Sequence, residues 1–176
     1  MNDIIKGCLS NDRDCQKALY ERYAASMLGV CRRYARHGLE ADDMLQDGFI
    51  TLFRNMDQYH GTGSFEAWMR RIIINTCLKH IRKFSFQKEN IGIEETEITK
   101  VEPEVLSQLS EEALLEMIDQ LPVGYKNVFN LYAIEGYNHQ EISKMLGIRE
   151  GTSRSQLVKA RKMLQKFIGN ALNAFI

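Results

Sequence analysis

Apolar residues recur at helical spacing through most of the chain, and the pattern divides it into successive helices. From about Asp12 to His37, apolar or small residues fall at Cys15, Ala18, Leu19, Tyr23, Met27, Val30, Cys31 and Tyr34. This is the buried stripe of one helix, which Gly38 should stop. A second stripe, Met44, Leu45, Phe49, Leu52, Phe53 and Met56, predicts a helix over about 42–56. Its other face carries Asp43, Gln46, Asp47, Ile50 and Arg54. After a turn at Tyr59-His60-Gly61-Thr62-Gly63, Ser64 should cap a third helix running through Trp68, Ile72, Ile73, Ile74 and Leu78 to Lys83. Ile72–Ile74 alone would also suit a buried strand, but the flanks show no alternation and the span is too long for one.

The periodicity fades between 84 and 109, where Gly92, Pro103 and many acids read as a linker. Ser110 should then cap a short helix with Glu111 and Glu112 in its first turn, where acids suit the helix dipole. Pro122 fits the first turn of a following helix that packs Tyr125, Val128, Phe129 and Tyr132 and stops near Gly136. Asn138 and Glu141 have the spacing of a capping box, opening a helix that buries Ile142 and Leu146 before Gly147. The last helix starts near Glu150 and buries Leu157, Ala160, Leu164 and Ile168. The expected fold is therefore all-α: two small helical domains, 1–83 and 110–176, joined by a flexible acidic linker over 84–109.

Charge sharpens that division. The whole chain balances at 23 basic and 23 acidic residues, which would argue against a nucleic-acid partner. Counted by segment, 1–83 carries 13 basic and 10 acidic residues, 84–120 carries 2 and 10, and 121–176 carries 8 and 3. Two basic modules flank an acidic centre that hides them. No apolar run approaches the roughly 20 residues of a membrane span, and the first residues lack a secretory pattern, so a cytoplasmic protein without a membrane span is expected. Cys8, Cys15, Cys31 and Cys77 lack the spacing of a zinc site and should be reduced and mostly buried.

The last two predicted helices form a helix–turn–helix. At 100° per residue, Thr152, Ser155, Lys159, Lys162 and Lys166 lie opposite the apolar stripe with Arg154 beside them, and that face shows no acid. It suits a recognition helix in the major groove, the reading the pattern favours; the alternative is a solvated face of a small helical domain. Arg70, Arg71, Lys79, Arg82 and Lys83 give a second basic surface, preceded by the aromatic, glycine and hydroxyl loop from Tyr59 to Phe65. That mixture suits single-stranded DNA, although its aromatics, Trp68 above all, also suit a core. Asp43, Gln46 and Asp47 beside Ile50 suit docking onto basic helices of another protein. A metal-dependent nuclease using Asp42, Asp43 and Asp47 is the enzyme alternative, but adjacent aspartates point about 100° apart on a helix. The four histidines, His37, His60, His80 and His139, have no ligand spacing, and neither a catalytic constellation nor a cofactor motif is present.

Six stretches then bear a family likeness. Asp42-Asp43-Met44-Leu45-Gln46-Asp47-Gly48-Phe49, Tyr59 through Trp68, and Arg71-Ile72-Ile73-Ile74-Asn75-Thr76 resemble region two of bacterial sigma factors. Leu121-Pro122, Gly136 through Ile148, and Gly151-Thr152-Ser153-Arg154-Ser155 resemble region four. The short spacer between them is that of the extracytoplasmic-function (ECF) group, which implies a sigma factor and not an enzyme. The resemblance implies that Asp43, Gln46, Asp47 and Ile50 bind core RNA polymerase. It implies that Tyr59, His60, Gly61, Thr62, Gly63, Ser64, Arg71, Asn75, Lys79, Arg82 and Lys83 read and open the −10 element of promoter DNA. Arg149, Thr152, Arg154, Ser155, Lys159 and Lys162 would bind the −35 element as duplex. An anti-sigma factor is a further implied partner, with the polymerase-binding face its natural target, and the acidic linker, with Glu94, Glu95 and Glu97, would lie on the path of the nascent RNA. The chain departs from the family at Ser153, usually aliphatic, and Gln156, usually arginine; looser packing at the first and one lost charge at the second are expected. The alternative is a helix–turn–helix regulator with a different N-terminal domain and no sigma role.

Overall fold

The computed structural model describes residues 2–85 and 111–173, and among them every regular element is helical. The chain divides into two compact units, residues 1–90 and 91–176. No helix among the described residues is long and apolar enough to cross a membrane.

In the first unit, α1 (Asn2–Leu9), α2 (Arg13–Arg32), α3 (Gly38–Arg54), a 3-10 turn (Met56–Gln58) and α4 (Phe65–Ser85) enclose one core. Leu19, Met27, Met44, Leu52, Met69, Ile73 and Leu78 fill it. α3 packs against α4 at Gly48, where a Cβ would fall 2.4 Å from Ile73 Cδ1, so a side chain there would push the buried Ile73 aside. The four cysteines are thiols; Cys8, Cys31 and Cys77 are buried, and the Cys31 and Cys77 Sγ atoms lie 3.8 Å apart between α2 and α4.

Two boundaries differ from the periodicity. The first predicted helix ends at Arg32 rather than His37, and Gly38 opens α3 instead of stopping α2. The cause is a side-chain knot in the turn. Glu40, 6% exposed, accepts the Arg36 backbone N–H at 2.7 Å and the Arg36 guanidinium at 3.0 Å. His37 Nδ1 in turn accepts the Glu40 N–H at 3.2 Å as the cap of α3. Burial alone would raise the Glu40 carboxyl, but these bonds from Arg36 outweigh it and hold the group below the usual range. α1 is an element the periodicity misses. It is joined to α2 through Asn11 in the left-handed region (φ 59°) and the Asp12 cap, whose Oδ1 accepts the Cys15 N–H at 2.9 Å.

The second unit holds α5 (Glu111–Asp119), α6 (Val123–Phe129), a π-helical turn (Asn130–Ile134), α7 (His139–Leu146) and α8 (Glu150–Asn173). Val128, Leu131, Ile142, Leu157 and Ala160 form its core, and the nearly buried Lys126 pairs with Asp119 at 2.8 Å. The helix expected from Pro122 to Gly136 is thus two elements, and Pro122 precedes the first rather than starting it. α4 continues through Ser85. The remainder of the expected linker, with Glu94, Glu95 and Glu97, and the Ser110 cap lie outside the described residues.

Candidate nucleic-acid interface

Three surfaces gather the predicted site residues, two on the first unit and one on the second. Along α3, Asp43, Gln46, Asp47 and Ile50 are all exposed. Leu39, 77% exposed, precedes them on the same face at helical spacing, four residues before Asp43. Sequence reasoning misses Leu39 because it starts this helix at Asp42; a start at Gly38 puts Leu39, Asp43, Gln46 and Ile50 in one file. Asp47 Oδ2 lies 2.8 Å from His80 Nε2 on α4. The pair borders an open groove of about 310 Å³, lined also by Ile50, Thr51, Arg54, Thr76 and Lys79.

The loop before α4 is built on an aromatic platform. Tyr59 meets Phe65 at 5.1 Å and Trp68 at 5.3 Å between ring centroids, and its hydroxyl donates to the Gly63 carbonyl at 3.0 Å. Gly61 and Gly63 take φ of 74° and 81°, which lets the loop double back. His60, Gly61, Thr62, Gly63 and Ser64 are exposed above the half-buried Tyr59 and Trp68. Ser64 Oγ accepts the Ala67 N–H at 3.4 Å, the expected start of α4. Along α4, Arg71, Lys79 and Arg82 are exposed and Asn75 is half-buried, at offsets that share one face. The Lys83 side chain lies outside the described residues.

In the second unit the expected capping box is complete. Asn138 Oδ1 accepts the Glu141 N–H and Glu141 Oε2 accepts the Asn138 N–H, both at 2.9 Å. Gly147, with φ 69°, makes the turn into α8. Arg149, Arg154, Ser155, Lys159 and Lys162 are exposed, while Thr152 is half-buried and its carbonyl accepts the Ser155 hydroxyl at 3.0 Å. Glu150 pairs with Arg154, so an acid borders this face after all. The expected looseness at Ser153 is absent. Ser153 is fully buried, with Oγ 2.9 Å from His139 Nδ1, and the His139 ring stacks on Tyr132 at 4.7 Å. Burial lowers the His139 pKa, Arg154 and Arg161 add to the effect, and Glu150 opposes it. Gln156 is half-buried against α6, its Nε2 3.1 Å from where a Cβ on Gly124 would sit. Among the described residues no three side chains gather to hold a metal, and Asp42, Asp43 and Asp47 form no such group.

Likeness to known proteins places the chain in a family. The Sigma-70 region 2 family matches residues 19–85, and the Sigma-70, region 4 family matches residues 111–164. The ECF RNA polymerase sigma-E factor of Haemophilus influenzae is 24% identical over 94% of this chain and 93% of its own. The RNA polymerase sigma-H factor of Pseudomonas aeruginosa is 26% identical over 93% and 91%. Among solved structures, the sigma factor RpoE of Bartonella quintana, bound to the anti-sigma factor NepR, shares the fold with a TM-score of 0.58 and 17% identity, covering 87% of this chain and 96% of that one. CnrH, bound to the cytosolic domain of CnrY, gives a TM-score of 0.51 at 19% identity, covering 97% and 96%.

The chain belongs to the bacterial sigma-70 family, in its ECF group, whose members bind core RNA polymerase and promoter DNA and direct transcription initiation. The region 2 match replaces the alternative of a regulator with an unrelated N-terminal domain.

Proposed function

We propose that the three surfaces divide the work of initiation. The α3 file of Asp43, Gln46, Asp47 and Ile50 docks on core polymerase, its carboxylates facing basic groups of the partner. The loop 59–64, exposed over His60–Ser64, and the α4 file of Arg71, Asn75, Lys79 and Arg82 hold the separated −10 strand, with Lys83 next in sequence. α8 enters the −35 major groove, where Arg149, Thr152, Arg154 and Ser155 lie toward the base edges and Lys159 and Lys162 toward phosphates.

The observation that carries this reading is the loop on its platform. An opened strand offers unstacked bases and a flexible phosphate chain, and the exposed His60–Ser64 loop beside a basic helix supplies contacts for both. The basic face of α8 is instead a regular helical surface of a width that a duplex groove accepts. The protein acts by binding, not by making or breaking covalent bonds, and works in the cytoplasm. An anti-sigma factor regulates it by covering the α3 file, as the charge and exposure of that file invite.

Run-off transcription with purified core polymerase tests the reading. Adding the chain should yield discrete transcripts from a subset of genomic promoters, and their starts should define shared −10 and −35 elements. Random initiation, or none on any genomic promoter, would contradict it.

A further inference from the structure

We propose that His139 is a positioning residue for the DNA-reading helix: its imidazole, held against Tyr132, fixes the setting of α8 through the buried hydroxyl of Ser153. The proposal rests on the −35 reading of α8 and adds the contact that orients it.

Ser153 is the point where α8 is held. Its side chain is fully buried, and water cannot replace a lost partner there. The partner in the structure is His139 Nδ1 at 2.9 Å. Thr152 and Arg154 flank Ser153, and Ser155 is tied back to the Thr152 carbonyl at 3.0 Å, so the turn that would face the bases is the turn His139 grips. His139 is itself fixed from two sides. It follows the Asn138 cap of α7, and its ring lies nearly parallel to that of Tyr132, 22° off, in the π-helical turn. Tyr132 then reaches α8 a second time, with the Arg161 guanidinium 5.6 Å from its ring centroid. Ser153 and Arg161 are two turns apart, about 12 Å along the helix. Attachment at two such points fixes the tilt of α8 as well as its rotation. This chain needs that attachment because a serine stands where packing against an aliphatic side chain would otherwise set the turn.

The bond has a chemical polarity. In the neutral tautomer that carries its proton on Nε2, Nδ1 accepts the Ser153 hydroxyl, which leaves no buried O–H unpaired. Protonation makes Nδ1 a donor, so the hydroxyl must turn to another acceptor. The new charge then faces Arg154 and Arg161 on α8 and the neutral Tyr132 on the π-helical turn. Glu150 on α8 is already paired with Arg154, and Glu141 on α7 is committed to the capping box.

The test uses holoenzyme assembled from core polymerase and the full chain. Its probes are a duplex carrying a promoter it transcribes and the same duplex with the −35 element scrambled. The readout is the ratio of the two affinities. His139→Ala should lower this ratio about tenfold, the worth of roughly one hydrogen bond, without changing affinity for core. His139→Asn, which keeps an acceptor in place, should restore most of it. The wild-type ratio should hold level from pH 7.5 to about 6.5 and fall as pH drops further, because burial lowers the His139 pKa below its ordinary value, while that of His139→Asn stays level. Should His139→Ala fold poorly, His139→Ala with Ser153→Ala removes the stranded hydroxyl and should recover the melting temperature while the ratio stays low. An unchanged ratio in a folded His139→Ala or double variant would overturn the proposal and leave the −35 reading standing. A wild-type holoenzyme indifferent to the −35 element would overturn both.

Discussion

His80 Nε2 lies 2.8 Å from Asp47 Oδ2, a bond that joins the helix proposed to hold the −10 strand to the helix proposed to dock on polymerase. Both groups retain access to solvent, so the pair contributes about 1 kcal/mol or less to stability. Its position matters more than its strength, because Asp47 belongs to the file proposed to dock on polymerase.

Asp47→Ala should therefore leave the melting temperature within a few degrees of wild type and weaken binding to core polymerase about tenfold. Titration of labelled chain with core, alongside thermal melting, checks both halves. A large loss of stability with unchanged affinity would assign Asp47 to folding alone.

The Glu40 knot predicts an acid sensitivity with a definite sign. A carboxyl whose pKa is lower in the folded than in the unfolded chain stabilises fully above the unfolded value, about 4.3, and loses that contribution as pH falls through the folded value. Glu40→Gln should cost about 1–2 kcal/mol at neutral pH and flatten the stability profile below about pH 4.5. Denaturant melts across pH measure it.

Gly48 sets the approach of α3 to α4. Gly48→Ala gains helix propensity of about 1 kcal/mol but drives a methyl into Ile73, at an overpacking cost of about 1–3 kcal/mol. Net destabilisation is expected. Ile73→Val removes Cδ1, the atom that a Cβ at Gly48 would meet, so the double variant should be more stable than the two single changes add up to.

Glu150→Gln releases Arg154 and removes a negative charge from the edge of α8 proposed to face DNA. Affinity should rise several-fold for promoter and scrambled duplex alike, with a steeper salt dependence, because the gain is electrostatic. Anisotropy titrations at several salt concentrations separate this from a gain in specificity, which would appear in the promoter duplex alone.

Local signals in the sequence carried furthest. Asn138 and Glu141 were legible because a capping box is a fixed spacing of two residue types, and Gly147 because a helix stop favours the left-handed region. The stripes of α2, α3 and α4 were legible because burial on one face leaves a period. His37 was not read as a cap because histidine lies outside the usual capping set, and without it Gly38 looked like a stop. α1 is short, with Cys8 its one fully buried side chain among those described, so it leaves almost no period. The π-helical turn has no local signature. The His139–Ser153 bond spans 14 positions and exists only once α7 and α8 pack, so a spacing read along the chain could not find it. The candidate site residues follow from residue type, helix face and family resemblance, while their partners, Glu150 on Arg154 and His80 on Asp47, need the packed units.

The central claim is that the first unit handles an opened strand and the second a duplex, and a pre-opened template tests it most directly. Run-off transcription is measured with holoenzyme on one promoter in duplex form and with its −10 segment mismatched. Arg71→Ala with Asn75→Ala should lose most activity on the duplex and recover much of it on the open template, while Arg154→Ala with Ser155→Ala should be impaired on both. Equal recovery by both variants, or recovery by the α8 variant alone, would contradict this division.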